Sequence, residues 1–215
     1  MTEPKRIRYN TRQEWLDGRL NGIGASEAAA CVGLSPWQTA SELWEIKTGR
    51  KKPKDISNSP AVKRGVRMEP VLRELFRATH PDLVVEYHEY DVLFQDERPW
   101  MFATLDGEIL LQNGERGILE IKTAEITSKA RAAEWEGGIP KYYHAQLLHQ
   151  LNATKYAFAV LFAGLLDGDG GMQIKSYELD AEDCAEDRAW LASEEANMWK
   201  HIQNGTLPPQ RLVLG

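Results

Sequence analysis

Apolar residues in the first third of the chain recur at helical spacing, and each run is opened by a capping signal. Thr11-Arg12-Gln13-Glu14 has the capping-box pattern and predicts a helix carrying Trp15, Leu16 and Arg19. Ser26 caps or begins a second short helix over 28–32, closed by Gly33. Thr39-Ala40-Ser41-Glu42 repeats the signature ahead of Leu43, Trp44 and Ile46, and Gly49 ends that helix. A polar loop over 50–58 leads to Ser59-Pro60, which starts a long helix over 60–79 with proline in its first turn. In this helix Val62, Val66, Glu69, Leu72 and Phe76 form one stripe facing the core.

The period then changes. Segments 83–93, 100–104, 108–111 and 117–123 read as strands separated by turn residues. A helix over 127–135 is broken by Gly137-Gly138-Ile139-Pro140, and another follows over 141–153. Segments 156–166 and 172–179 form a hairpin around 167–171, and a last acidic helix runs over 181–203. This order predicts an α/β fold, a mixed central sheet flanked by helices on both faces. At 215 residues, 1–215 is expected to be a single domain.

Composition excludes fibrous and disordered classes: 42% of residues are hydrophobic and 27% charged. The longest apolar run, 157–166, is half what a bilayer needs, so no membrane association is expected. No apolar stretch near the N-terminus suits a signal peptide, and Cys31 and Cys184 fit no metal spacing, so the cytoplasm is the expected location. The net charge of −6 hides an asymmetry: residues 1–67 carry a net +6 and the remainder −12. That can build a basic face for a polyanion, or it reflects acids collecting on solvated helices.

Candidate chemistry lies in Leu105-Asp106-Gly107 and Leu119-Glu120-Ile121-Lys122. Residues two apart on a strand share a face, so Glu120 and Lys122 point the same way. A three-residue loop over 113–115 puts Asp106 opposite Lys122 and diagonal to Glu120, with Ile109, Leu111, Leu119 and Ile121 on the other face. A two-residue loop would leave Asp106 on the wrong face, so an odd loop length is expected. Two close carboxylates repel unless a hard divalent cation lies between them, and a neighbouring lysine can contact a phosphate or orient a water. A solvated polar strand face is the other reading. Glu69, in an apolar stripe, is costly unless paired or bound to a metal; a buried salt bridge is its alternative. Gln146 alone reads as a boundary residue near Tyr143.

The ordered set Glu14-Trp15-Leu16, Arg19, Ile23-Gly24-Ala25-Ser26, Gly65, Glu69-Pro70, Asp106-Gly107, Leu119-Glu120-Ile121-Lys122, Trp135, Pro140 and Tyr143-His144-Ala145-Gln146 resembles the viral-recombinase nucleases. These are typified by phage lambda exonuclease and include the YqaJ family, a branch of the PD-(D/E)xK fold. Leu105 stands where that fold's signature has proline, and the region after Ala153 is the weakest match. The resemblance implies that Asp106, Glu120 and the Ile121 backbone carbonyl ligate Mg2+, with Mn2+ able to substitute. It implies that Lys122 orients the attacking water, that Glu69 completes the metal site, directly or through a water, and that Gln146 supports the water or phosphate. Arg19 and Ser26 resemble the pocket for a DNA 5′-phosphate, a role that suits a guanidinium fork. It further implies a 5′→3′ exonuclease on linear double-stranded DNA, leaving 3′ single-stranded tails. A ring-shaped homotrimer and a phage single-strand annealing protein as partner complete that picture. An endonuclease on the same fold and a non-catalytic DNA-end-binding protein are the alternatives.

Weaker signals remain. The basic run Arg50-Lys51-Lys52-Pro53-Lys54 reads as a phosphate-backbone contact or a solvated loop, and 167–171 as a hairpin loop rather than a calcium site. His144 and His149 do not share a helix face well enough to pair as ligands. Trp15, Trp44 and Trp190 lie in helical apolar patterns and are expected in the core.

Overall fold

The computed structural model describes residues 3–209. Its larger sheet has the order β3 (Val84–Glu86), β6 (Gly107–Leu110), β7 (Arg116–Glu125), β8 (Phe158–Leu166), β9 (Met172–Asp180). Strands β7 and β8 are parallel and every other pair in this sheet is antiparallel. The parallel pair requires a crossover, supplied by α5 (Lys129–Glu136) and α6 (Lys141–Thr154). Helix α4 (Pro60–Thr79) covers one face through Leu72 and Phe76, which pack on Ile109, Leu119, Ile121, Val160 and Phe162. On the other face lies α6, buried from Ala145 to Thr154, as expected of a helix enclosed on all sides.

The expected single sheet is in fact two. A second sheet has the order β1 (Lys5–Arg8), β4 (Asp91–Phe94), β5 (Met101–Ala103), β2 (Ile23–Gly24). The segment 83–93, read as one strand, divides between the sheets: β3 joins the large one and β4 the small one, with Tyr90 turning the chain at φ 59°. The strand β1 has no apolar pattern in the sequence, because Lys5, Arg6 and Arg8 leave Ile7 as its single apolar residue. Arg6 fastens it through Asp91 and the buried Glu108, each at 2.6 Å.

The stripe on α4 also differs. Val66 is 68% exposed, and Met68 and Leu75 pack toward the core instead. Gly65 takes the inward position, against Thr123, and Val66, about 100° further round the helix, faces solvent. Pro70 is inside the helix; lacking an N–H, it leaves the carbonyl four residues back, that of exposed Val66, free for water. The last helix, α7 (Ala185–Asn204), begins after a turn at 181–184 rather than at 181. Trp190, expected in the core, is 50% exposed on it, whereas Trp44 is buried and Trp15 half-buried. Both cysteines are buried and neither forms a disulfide among the described residues, where no helix is long and apolar enough to cross a membrane.

Helix α1 (Arg12–Gly18), capped by Thr11 as predicted, passes through a tight 3₁₀ turn, Arg19–Asn21, into β2. There Ile23 N donates to Trp100 O at 2.6 Å, bringing the backbone so close that a Cβ on Gly22 would lie 2.3 Å from that oxygen. Gly22→Ala is therefore expected to destabilise the fold by roughly 1–3 kcal/mol through overpacking against backbone. Urea denaturation measures this; a change below about 0.5 kcal/mol would contradict the close approach.

Candidate active site

The site forms where β7 outruns its neighbour. Strand β6 pairs with β7 from Leu110↔Arg116 to Gly107↔Leu119, so the next step along the ladder sets Asp106 opposite Glu120. The sequence register had Asp106 opposite Lys122 across a loop over 113–115. The turn is instead 112–114, closed by Leu111 N donating to Glu115 O at 2.9 Å. Gly114 has φ +86°, a left-handed position suited to the last residue of a three-residue turn, and this shifts the register by two. Because the loop length stays odd, the face assignments hold. Glu120 and Lys122 point toward α6, while Ile109, Leu119 and Ile121 point toward α4.

Asp106 lies just beyond the start of β6, and its Oδ2 accepts from Ile121 N at 2.8 Å. In a strand one residue's N–H and C=O share an edge, so the Ile121 carbonyl borders Asp106 as well. Glu120 is 2% exposed. Its Oε1 accepts from Lys122 Nζ and from Gln146 Nε2 at 2.6 Å, and its Oε2 from Gln150 Nε2 at 2.6 Å. Lys122 Nζ also lies 5.3 Å from the Tyr143 ring centre. Gln146 thus holds the Glu120 carboxylate.

Glu69 pairs with Arg73 one turn later on α4, the ion pair that the sequence left open. The buried Arg73 also donates from Nε to Asp106 O at 2.6 Å and lies 3.5 Å over the Tyr87 ring. Neither Arg73 nor Gln150 was evident from pattern alone. Their signal was helical spacing: each follows a candidate residue, Glu69 or Gln146, by four.

Burial pushes the Asp106 carboxyl well above the usual carboxylate range; the nearby Glu120 charge adds to this and Lys122 opposes it. Burial also raises Glu69, against the pull of Arg73, and Glu120 raises it further. For Lys122, burial favours the neutral amine, but Glu120 and Asp106 outweigh it and hold the ammonium. This is excess negative charge around a half-enclosed point. Among the described residues no three His, Cys, Asp or Glu side chains cluster as metal ligands. The donors at hand are two carboxylates and a peptide carbonyl, an all-oxygen set of the size Mg2+ takes from protein. The residues fit that ion.

Across from this cluster, Arg19 Nη2 donates to Ser26 Oγ at 2.9 Å, so the two residues expected at a phosphate do meet. Arg19 also lies 4.9 Å over Trp15, whose Nε1 donates to Thr104 Oγ1 at 3.0 Å, two residues before Asp106. Behind them Lys47, its side chain 1% exposed, contacts Glu27 at 2.8 Å and donates to Arg19 O at 2.6 Å. Glu27 in turn accepts from Gly24 N at 2.8 Å. This clasp fixes the backbone on both sides of the Arg19–Ser26 pair.

Residues 14–157 match the model of the YqaJ-like viral recombinase domain, a span containing every residue just described. The chain belongs to this family. It is 33% identical over 173 residues to the uncharacterized protein YqaJ of Bacillus subtilis (strain 168), an alignment covering 80% of this chain and 51% of that protein. The chain thus spans about half the length of that curated relative. Its structure is similar to an alkaline exonuclease (LHK-Exo) from Laribacter hongkongensis, with a TM-score of 0.63 at 19% identity over 89% of this chain and 95% of that one. LHK-Exo in complex with dAMP gives a TM-score of 0.64 over the same shares. The fold of this viral recombinase domain is therefore the PD-(D/E)xK nuclease fold, as expected.

The raised Asp106 carboxyl gives the domain a testable pH signature. Between the unfolded value, about 3.9, and the raised folded one, the folded state holds a proton that the unfolded chain has released. Stability therefore falls as pH rises through that window, and the penalty persists above it. In metal-free buffer Asp106→Asn is expected to raise the melting temperature at pH 7–8, roughly 2–4 °C per kcal/mol of relief, and to flatten its pH dependence. A lower melting temperature at neutral pH would refute the assigned repulsion.

Proposed function

We propose that this chain is a Mg2+-dependent deoxyribonuclease, a 5′→3′ exonuclease on linear double-stranded DNA that leaves 3′ single-stranded tails for recombination by strand annealing. The observation that carries this reading is the meeting of Asp106, Glu120 and Lys122 at the free end of β7, tied through Trp15 and Thr104 to the Arg19–Ser26 pair. Asp106, Glu120 and the Ile121 carbonyl would hold Mg2+, or Mn2+ in its place, which when bound supplies Lewis-acid polarisation of the scissile phosphate. Lys122 orients the attacking water through its ammonium. Gln146 and Gln150 fix the Glu120 carboxylate so that it does not turn away. Glu69, held by Arg73, contributes negative charge beside the site and would complete the metal's surroundings, directly or through a water. Arg19 and Ser26 grip the terminal 5′-phosphate, since a guanidinium fork and a hydroxyl match its oxygens and its extra charge.

Family membership and the fold shared with an alkaline exonuclease support the recombination role. A homotrimeric ring, a phage single-strand annealing protein as partner and a cytoplasmic location belong to the same proposal. The deciding assay incubates duplexes with 5′-phosphate or 5′-hydroxyl ends, and a closed circle, with Mg2+, Mn2+ or EDTA. Metal-dependent loss of linear DNA alone supports it. Cutting of the circle points to an endonuclease, and binding without hydrolysis to an end-binding protein.

Two substitutions sharpen the test. Lys122→Ala is expected to leave folding and DNA binding intact and to reduce cleavage to below a tenth of wild type, more than ~1.4 kcal/mol of barrier; a faster folded variant would refute the role. Wild type is expected to degrade 5′-phosphorylated ends faster than 5′-hydroxyl ends. Arg19→Ala should erase that preference, and Arg19→Lys restore it only in part, because an ammonium lacks the bidentate geometry. Equal wild-type rates on the two ends would remove the phosphate pocket.

A further inference from the structure

Beside the candidate site lies aromatic surface that the fold does not use for itself. Trp37 is 63% exposed, more than any other aromatic side chain among the described residues. It contacts Tyr142 edge-on, with ring centres 4.9 Å apart and planes at 76°, and Tyr143 at a tilt, 6.1 Å away. Tyr142 and Tyr143 meet edge-on at 4.5 Å. Among the described residues no ring or guanidinium lies flat on Trp37, so stacking area on the indole is open.

This ladder ends at the chemistry. Lys122 Nζ is 5.3 Å from the Tyr143 ring, which puts the Trp37 ring no more than about 11 Å from Lys122 Nζ. That distance is about three base steps of ~3.4 Å along a nucleic-acid strand. The indole is also held. Ser35 Oγ accepts from Trp37 N and Gln38 N, each at 3.2 Å, and Leu34 N and Ser35 N donate to Ala29 O at 2.8 and 3.2 Å. Ala29 belongs to α2 (Ala28–Cys31), which directly follows the turn bearing Ser26. One short stretch of chain thus carries the phosphate contact at its start and the indole at its end.

We propose that Trp37, backed by Tyr142, is the stacking platform for a nucleobase of the strand being cut, within three nucleotides of the scissile linkage. This rests on the deoxyribonuclease reading and adds a binding residue to it. Every base presents a π-face, so the platform serves hydrolysis at any sequence, and it holds an unpaired base near the site once the end has opened.

The test places 5-iododeoxyuridine at each of the first four positions of a 5′-phosphorylated strand in a duplex and irradiates the wild-type complex in Ca2+ buffer and in EDTA. The expected result is a crosslink, located by mass spectrometry, to Trp37 or Tyr142 from one or two adjacent positions. In parallel, Trp37→Ala is expected to weaken binding of the duplex about 5- to 100-fold with an unchanged melting temperature, and Trp37→Phe to stay within about threefold of wild type. Wild type that binds DNA but gives no such crosslink, with Trp37→Ala binding within about twofold, would overturn the platform alone. Wild type that binds no DNA in either buffer would overturn the deoxyribonuclease reading and the platform with it.

Discussion

The arrangement depends on one buried carboxylate. Glu120 is enclosed between the large sheet and α6, and it is tolerable there because three donors converge on it: Lys122 from its own strand and two glutamines from the helix. A buried charge with this many partners has few positions available to it. It therefore fixes the helix against the strand, not only the side chain in its site. Removing Gln146 or Gln150 would leave a charge short of donors in a place water does not reach, so these residues support the fold and the chemistry together.

The same helix passes that constraint to the other half of the site. His149, one turn along and fully buried, lies with Nδ1 2.7 Å from Glu195 on α7 and Nε2 2.9 Å from Phe102 O on β5. Burial lowers the imidazole's pKa, but Glu195 and the Phe102 carbonyl together outweigh it and hold the pKa above the usual histidine value. The Phe102 ring packs against Gly22 and Gly24, the backbone beside Arg19 and Ser26. A contiguous path thus runs from the carboxylate cluster through α6 and its buried polar contacts to the small sheet, and from there by packing of the Phe102 ring to the backbone beside the phosphate-sized pair.

What the sequence made legible followed from local rules. The N-cap at Thr11, the capping box at Thr39, the period-two strands and the odd hairpin loop all survive, because each is decided by a few neighbouring residues. The division into two sheets did not show, since segment 83–93 is continuously strand-like and only the turn at Tyr90 separates its halves. Val66 was misplaced because periodicity cannot see that Gly65 is the residue that touches the sheet. Within the site, residue types and faces were readable, whereas partners were not. Gln146 binds Glu120, and Lys47 joins Glu27 to the Arg19 carbonyl across 28 residues, contacts that only tertiary structure creates.

The turn at 112–114 has a consequence for how such a chain can diverge. Inserting or deleting one residue there, if the three-residue turn re-forms and the strands slide by one, would carry Asp106 to the opposite side of the sheet from Glu120 and Lys122. A change of two would preserve the side. The turn is exposed and away from the cluster, and only the left-handed Gly114 that closes it has a conformation that restricts the residue type. Mutational drift at this solvent-exposed tip is therefore restricted by parity wherever the three-residue turn is retained: the spelling outside Gly114 is free, and the chain between the strands can change length only in even steps.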